Sequence, residues 1–240
     1  MDDSIRGSAI PGPEFVMIDI VSATRLPESQ FWNASPLGIS LRRLAHDNRL
    51  VTRLTFANRR GLPDIYNAHI LSDGGSDILV FVHDDVWIDD YFLADRVIEA
   101  LGNYDVIGVA GNRRRAPFQP GWAFVDTKLT WDDRAHLTGS IAHGEHPFGP
   151  VSFYGPAPAD CELLDGVFLA ARKAALKAKE ILFDARFDFH FYDLDFCRSA
   201  RQRGLRLGTW PICLTHQSKG THGMQQWNLR YRAYIEKWGN

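Results

Sequence analysis

Cysteine is scarce in this chain, long apolar runs are missing, and neither sign of charge dominates. The three cysteines, Cys161, Cys197 and Cys213, lie far apart and lack the spacing of a metal site. A reduced, cytoplasmic setting is the expectation. No apolar stretch approaches the ~20 residues that a membrane span requires, and no signal-peptide pattern opens the chain. Lys and Arg number 27 against 29 Asp and Glu, for a formal net charge of -2. So near-neutral a balance excludes nucleic acid held by a general positive field. What remains is an ordinary globular composition, 45% hydrophobic and 23% charged over 240 residues. That is ample for one α/β domain and small for two.

The first sixteen residues, MDDSIRGSAIPGPEFV, are small, polar and rich in Pro and Gly, with Gly-Ser and Glu-Phe pairs of the kind cloning sites encode. Residues 1–16 are therefore read as an expression leader, with Met17 as the natural start; the alternative is a native disordered arm. The domain expected is 17–240, with a nucleotide-binding half over 17–110 and an acceptor half over 111–240.

One stretch organises the rest. Ile78 to Val82 are five apolar residues in a row, the pattern of a strand buried on both faces. The run ends at His83-Asp84-Asp85. Carboxylates at the end of a buried strand need a cation or hydrogen-bond donors, and in open α/β sheets ligands bind beyond the carboxyl ends of the strands. A divalent-metal mount is one reading. Solvated turn residues before a helix starting near Asp89 are the other.

Met17 to Ala23 reads as a strand ending at Ser22, Thr24 and Arg25, where small hydroxyls and a guanidinium can meet a nucleotide. A helix follows over Ser35 to His46, with Ser35 as cap and Pro36 at its first position. Leu50 to Phe56 is a strand, and beyond it Asn58 and Asn67 offer paired donors and acceptors for a base or ribose. Leu93, Val97 and Leu101 recur at helical spacing after Asp89, and Asp105 to Ala110 is a short strand. Residues 111–160 read as a long irregular segment with six prolines, Trp122, Trp131, His136, His143 and His146. Such segments are usually functional or mobile, and aromatic side chains such as Trp122 can stack on a sugar. Leu163 to Ala171 resumes the sheet, and Arg172 to Ile181 reads as a short helix. The next helix begins near Tyr192-Asp193 and stops at Gly204, and plain dipole-favoured capping is an alternative for Asp193 and Asp195. Leu205 to Leu214 is extended, and the closing helix carries Trp227, Tyr231, Tyr234 and Trp238 on one face, a stripe read as core or docking surface.

Assembled in order, these segments resemble the bacterial family 2-like glycosyltransferases of GT-A fold, in the branch whose metal strand reads HDDV. The likeness rests on Asn58-x-x-Gly61 with Tyr66-Asn67, on Phe81 to Val86, on Leu164 to Leu169, and on Phe187 to Arg198 followed by His216-x-Ser218. It implies a single GT-A (Rossmann-like) domain with a mixed, mostly parallel central sheet flanked by helices. It also implies a sugar-nucleotide donor, a UDP-sugar being expected, a glycan, lipid-linked or small-molecule hydroxyl acceptor, and Mn²⁺ or Mg²⁺ as cofactor. Aligning the metal motif puts His83 at its first aspartate and Asp85 at its last. Asp85 is then the principal metal ligand, with His216 and His83 as further candidates. The family's Glu-Asp pair falls on Tyr192-Asp193, so the glutamate is lost and Asp193 remains as general base for an inverting transfer. Asp84, Ser22, Thr24, Arg25, Asn58 and Asn67 are assigned to the nucleotide, and Lys219 and His222 to a closing loop over the diphosphate. Asp165, Gly166, Tyr192 and Trp122 are assigned to the sugar or acceptor. Two rival readings stand beside this one. The His83-Asp84 pair suggests a metal-dependent phosphohydrolase, and the two departures from the motifs suggest a degenerate carbohydrate- or partner-binding module.

Overall fold

A computed structural model of the chain describes residues 16–218, 223 and 225–239. All of the expected leader but Val16 lies outside them. The chain opens with β1 (Ile18–Ala23), α1 (Glu28–Ala34), α2 (Pro36–Arg43) and β2 (Leu50–Thr55). Ser35 caps α2 as expected: its Oγ accepts from the Gly38 amide at 3.3 Å, and Pro36 stands where no amide hydrogen is required. Next come α3 (Leu62–Leu71), β3 (Ile78–Val82), β4 (Val86–Ile88) and α4 (Leu93–Ala100). Five short strands and one longer one follow: β5 (Val106–Gly108), β6 (Ala110–Asn112), β7 (Leu137–His143), β8 (Val151–Gly155), β9 (Ala159–Cys161) and β10 (Leu163–Leu164). The chain ends through β11 (Phe168–Arg172), α5 (Lys173–Ala178), α6 (Tyr192–Gln202), β12 (Leu207–Thr209), β13 (Leu214–His216) and α7 (Gln225–Trp238).

The main sheet has the order β2-β1-β3-β11-β5-β12-β9. Strands β2, β1, β3, β5 and β12 point one way, and β11 and β9 oppose them, so the sheet is mixed with most strands parallel. Because β11 sits between β3 and β5, the two expected halves share this sheet. A smaller sheet runs β10-β6-β7-β13-β4, with β8 against β7.

β3 lies at the centre and none of its side chains is exposed. Its alternation feeds two cores. Ile78, Val80 and Val82 pack with Leu37 and Leu41 of α2 and Leu93 and Val97 of α4. Leu79 and Phe81 pack with Ile65 and Tyr66 of α3, Phe196 of α6 and Tyr234 of α7. Burial of such side chains is worth about 1.5–3 kcal/mol each relative to exposure. This is why a run apolar at every position, rather than at alternate ones, fits only the middle of a layered sheet.

Several elements depart from the sequence reading. The helix expected from Asp89 starts at Leu93, because Val86 to Ile88 pair as β4 and Asp89 is buried beneath them. The segment 111–160 is not irregular throughout, since β7, β8 and β9 come from it. Leu205 to Leu214 does not form one extended run; β12 joins the main sheet and the following β13 the small one. Helix α3 occupies residues to which the sequence reading assigns no element, although Pro63 and Asp64 carry the signals of a helix start. The short helix shrinks to Lys173–Ala178.

Candidate active site

Strand pairing explains how distant residues meet at the end of β3. β11 runs antiparallel to β3 with Phe168 opposite Val82, and the His83 amide donates to the Val167 carbonyl at 3.2 Å. Asp165 and Gly166 therefore lie beside His83. β13 runs antiparallel to β4 with His216 opposite Val86, and the Gln217 amide donates to the Asp85 carbonyl at 3.0 Å. That register brings His216 to Asp85 across 131 positions of sequence, counting from 85 to 216.

The candidate ligand atoms of His83, Asp85 and His216 all lie within 4.8 Å of one another. His83 Nδ1 is 3.9 Å from Asp85 Oδ1, and His216 Nε2 is 3.3 Å from Asp85 Oδ2. The closer contact is not aligned as a hydrogen bond, and both His216 Nε2 and Asp85 Oδ1 are buried without a hydrogen-bond partner. Leaving such atoms unsatisfied costs about 1–3 kcal/mol each. Two imidazoles and a carboxylate aimed at one point, with orphaned donor atoms among them, fit a divalent cation. The electrostatics agree. Burial raises the Asp85 carboxyl, but His216 and His83 outweigh it and hold the group below its ordinary value. Burial works against charge on His216, and Asp85 overcomes it, so that ring's pKa is raised. Burial lowers that of His83, with Asp85 opposing and His216 assisting.

Across the same cleft, Phe191 adopts left-handed backbone geometry, with φ 66°, and launches α6. Tyr192 and Asp193 are thereby turned inward. The Gly166 amide donates to Asp193 Oδ2 at 3.0 Å, and the Tyr192 hydroxyl donates to the Gly166 carbonyl at 2.7 Å. Any side chain at 166 would collide with both, since a Cβ there would fall 2.8 Å from Asp193 Cβ. Burial first, and then the charge of Asp165, push the Asp193 carboxyl up to about 7. Asp165 accepts from Trp122 Nε1 at 2.7 Å and from the Val167 amide at 2.9 Å. Asp195, by contrast, accepts from Trp238 Nε1 at 2.8 Å and pairs with Lys237 at 2.7 Å, which ties α6 to α7.

The cleft holds about 560 Å³ and is lined by His83, Asp85, Trp122, Asp165, Gly166, Tyr192, Asp193, His216 and Ser218. The other assigned residues that are described do not line it. Ser22 Oγ donates to the Val82 carbonyl at 2.7 Å inside the sheet. Asn58 spans its own turn, donating to the Arg60 carbonyl at 2.8 Å. Asn67, on α3, both donates to the Phe183 carbonyl and accepts from its amide, at 2.8 and 2.9 Å. That amide group is occupied in holding the chain. Thr24 hydrogen-bonds Asp84, whose carboxyl burial raises, at the rim formed by β1 and β3; Arg25 is exposed. The candidate metal-binding cluster contains Asp85 and not Asp84. Lys219 and His222 lie outside the described residues.

The sequence anticipates the far wall only in part: Trp131 and His143 lie in the segment flagged above, whereas Phe124, Tyr154 and Phe189 line the cleft without having been assigned, as does Trp227, in the stripe read above as core or docking surface. Trp131 stacks on Tyr154 with centroids 5.9 Å apart and an angle of 19°, and Trp122 meets Tyr154 edge-on at 4.9 Å. A buried knot holds this wall: Asn112 donates to Asp132 at 2.8 Å and to the Trp122 carbonyl at 2.9 Å, and Arg114 Nε donates to Asp132 at 3.0 Å. The density of aromatics between 118 and 154 was the available signal.

No protein-family model matches this chain, and no curated protein matches it in sequence. Its fold does match solved structures. The catalytic domain of Drosophila beta1,4galactosyltransferase 7, solved in complex with xylobiose, matches over 90% of this chain and 79% of that one, with a TM-score of 0.51 and 8% identity. GalNAc-T7, solved with UDP, GalNAc and Mn²⁺, matches over 92% of this chain and 48% of that one, with a TM-score of 0.52 and 11% identity. The chain thus spans about half the length of that second structure. These likenesses establish the architecture, a mixed α/β domain of the GT-A type found in glycosyltransferases.

Proposed function

We propose that this chain is a metal-dependent glycosyltransferase, moving a sugar from a nucleoside-diphosphate donor to a hydroxyl acceptor with inversion. The observation that carries the reading is one cleft shared by the His83–Asp85–His216 cluster and the carboxylate of Asp193, whose pKa is raised to about 7. It is placed in the HDDV branch of the family 2-like enzymes on the motifs quoted above.

Asp85, His216 and His83 would hold a divalent cation, which would supply Lewis-acid stabilisation to a leaving diphosphate. Two imidazoles against one carboxylate favour Mn²⁺ over Mg²⁺. Asp193 takes the proton from the acceptor hydroxyl. A carboxyl raised to about 7 is a stronger base than an ordinary one and is still ionised in large part at neutral pH. Asp165, fixed by Trp122, and the Gly166 seat hold the base and the sugar in register. Trp122, Trp131 and Tyr154 offer flat apolar faces to an acceptor, which suits the face of a pyranose ring. Thr24 and Asp84 are assigned to the nucleoside, at the carboxyl ends of β1 and β3. Among the described residues no helix is long and apolar enough to cross a membrane. The free thiols of Cys161, Cys197 and Cys213 suit the cytoplasm as the working compartment.

Asp193→Asn tests the assignment. The variant is expected to keep Mn²⁺-dependent UDP binding by calorimetry while transfer falls ~10²–10⁴-fold. Normal turnover would remove Asp193 from the mechanism, and absence of Mn²⁺-dependent UDP binding in the parent protein would favour the binding-module reading.

A further inference from the structure

The two positions at which this chain departs from the motifs it resembles are His83, in place of the first metal aspartate, and Tyr192, in place of the glutamate before the base. They touch each other: His83 Nε2 and the Tyr192 hydroxyl are 2.7 Å apart. The same hydroxyl is 2.7 Å from the Gly166 carbonyl. A phenol has one hydrogen, and a carbonyl oxygen can only accept, so the Tyr192 hydrogen is committed to Gly166. The Tyr192 oxygen is then an acceptor toward His83, and Nε2 must carry the proton. In a neutral imidazole this leaves Nδ1 with its lone pair free, and Nδ1 is the atom that faces Asp85 at 3.9 Å.

We propose that Tyr192 is a positioning residue for the metal site, fixing His83 as the Nε2–H tautomer with Nδ1 presented to the cation. The proposal rests on the reading of His83, Asp85 and His216 as metal ligands. Each substitution makes sense of the other. A histidine ligand needs a partner for its second nitrogen, and a glutamate at 192 would lack the hydroxyl hydrogen that Gly166 requires. Two further contacts hold the arrangement. Phe189 stacks on the His83 ring at 5.7 Å and 25°, and Tyr66 packs edge-on against Tyr192 at 6.1 Å. Burial keeps the Tyr192 phenol protonated, raising it well above its ordinary value. Gly166 makes the close approach possible, because a Cβ there would lie 2.8 Å from Tyr192 Cζ.

Tyr192→Phe keeps the ring and removes only the hydroxyl. Partners in this position around a metal-bound imidazole typically contribute 10–100-fold in affinity. Titration of Mn²⁺ by loss of its free-ion paramagnetic resonance signal, with UDP present, is expected to show weakening by that factor. In the parent protein without metal, ¹⁵N NMR of the His83 ring is expected to show a protonated Nε2 and an unprotonated Nδ1, and the variant should lose that preference. A purely structural role for Tyr192 would lower thermal stability without moving either readout. Equal Mn²⁺ affinity in parent and variant overturns the proposal while leaving the metal site intact. If the parent binds no Mn²⁺, the metal site itself fails and the proposal fails with it. Should the variant not fold, the NMR of the parent decides alone: a proton on Nδ1 overturns the proposal.

Discussion

A carboxylate held by the Gly166 amide at the first turn of α6 carries consequences for both rate and stability. Asp193 titrates near 7, so the transfer rate is expected to rise with pH through about 7 and then level off, provided the metal is saturating. A flat profile between pH 6 and 8 would contradict this. The same shift makes the ionised form costly to the fold. Between the ordinary carboxyl value of 3.8 and about 7, the folded chain holds a proton that the unfolded chain has released. Stability contributed by this group therefore falls as pH rises through that window and stays reduced above it. Asp193→Asn removes the cost at alkaline pH. Its Tm at pH 8 is expected to exceed the parent's, by about 2–4 °C for each kcal/mol recovered, with a smaller gain at pH 5. Calorimetric scans at the two pH values check this, and an equal or inverted difference counts against a protonated Asp193. Gly166→Ala acts on the same pair by steric means. A Cβ 2.8 Å from that of Asp193 and from Tyr192 Cζ must displace both side chains, and a shift near 1 Å is expected to lower kcat on the order of 10²-fold and to weaken Mn²⁺-dependent UDP binding as well.

Between elements, the pairing of β4 with β13 and the anchoring of the aromatic wall make the site. Thr215 Oγ1 donates to the buried Asp89 Oδ2 at 2.6 Å and accepts from the Gly149 amide at 3.1 Å, while the Phe148 amide donates to Asp89 at 3.0 Å. Thr215→Val strips a donor from a buried carboxylate and is expected to destabilise the fold by about 1–3 kcal/mol in urea titration. A loss below a few tenths would mean that Asp89 is held elsewhere. Asp132 offers the corresponding test at the wall. Burial raises its carboxyl, but Arg114 and Asn112 prevail and hold it at about 2. Asp132→Ala should loosen the segment carrying Trp122 and Trp131, raising KM for the acceptor while Mn²⁺ affinity stays put.

These elements also show what the sequence could disclose. The end of β3 was legible because an apolar run that stops at charged residues has few buried solutions, and Asp85, His216 and Asp193 followed from motif order. The far wall was legible as a density of aromatics but not as an assembled surface. Its residues are held by Asn112 and Asp132, polar groups whose partners lie up to twenty positions away, and no periodicity announces such a knot. Asn67 misled for a related reason. An amide suited to a base is equally suited to a backbone, and only the position of Phe183 distinguishes them.

Taken whole, the molecule is a layered sheet with a candidate cation site at its rim. A cation that binds the folded chain and not the unfolded one stabilises by mass action, about 2.7 kcal/mol at a hundredfold excess over Kd. Chelator treatment should therefore lower Tm, and Mn²⁺ should restore it more fully than Mg²⁺. Because His216 holds its proton more tightly than an ordinary imidazole, Mn²⁺ affinity is expected to fall as pH drops from 8 to 6. The most direct measurement is anomalous diffraction from crystals grown with Mn²⁺ and UDP. The account predicts one manganese peak within bonding distance of Asp85 and His216, with His83 Nδ1 beside it and the diphosphate on its open side. Manganese bound elsewhere, or UDP seated away from this cleft, would contradict it.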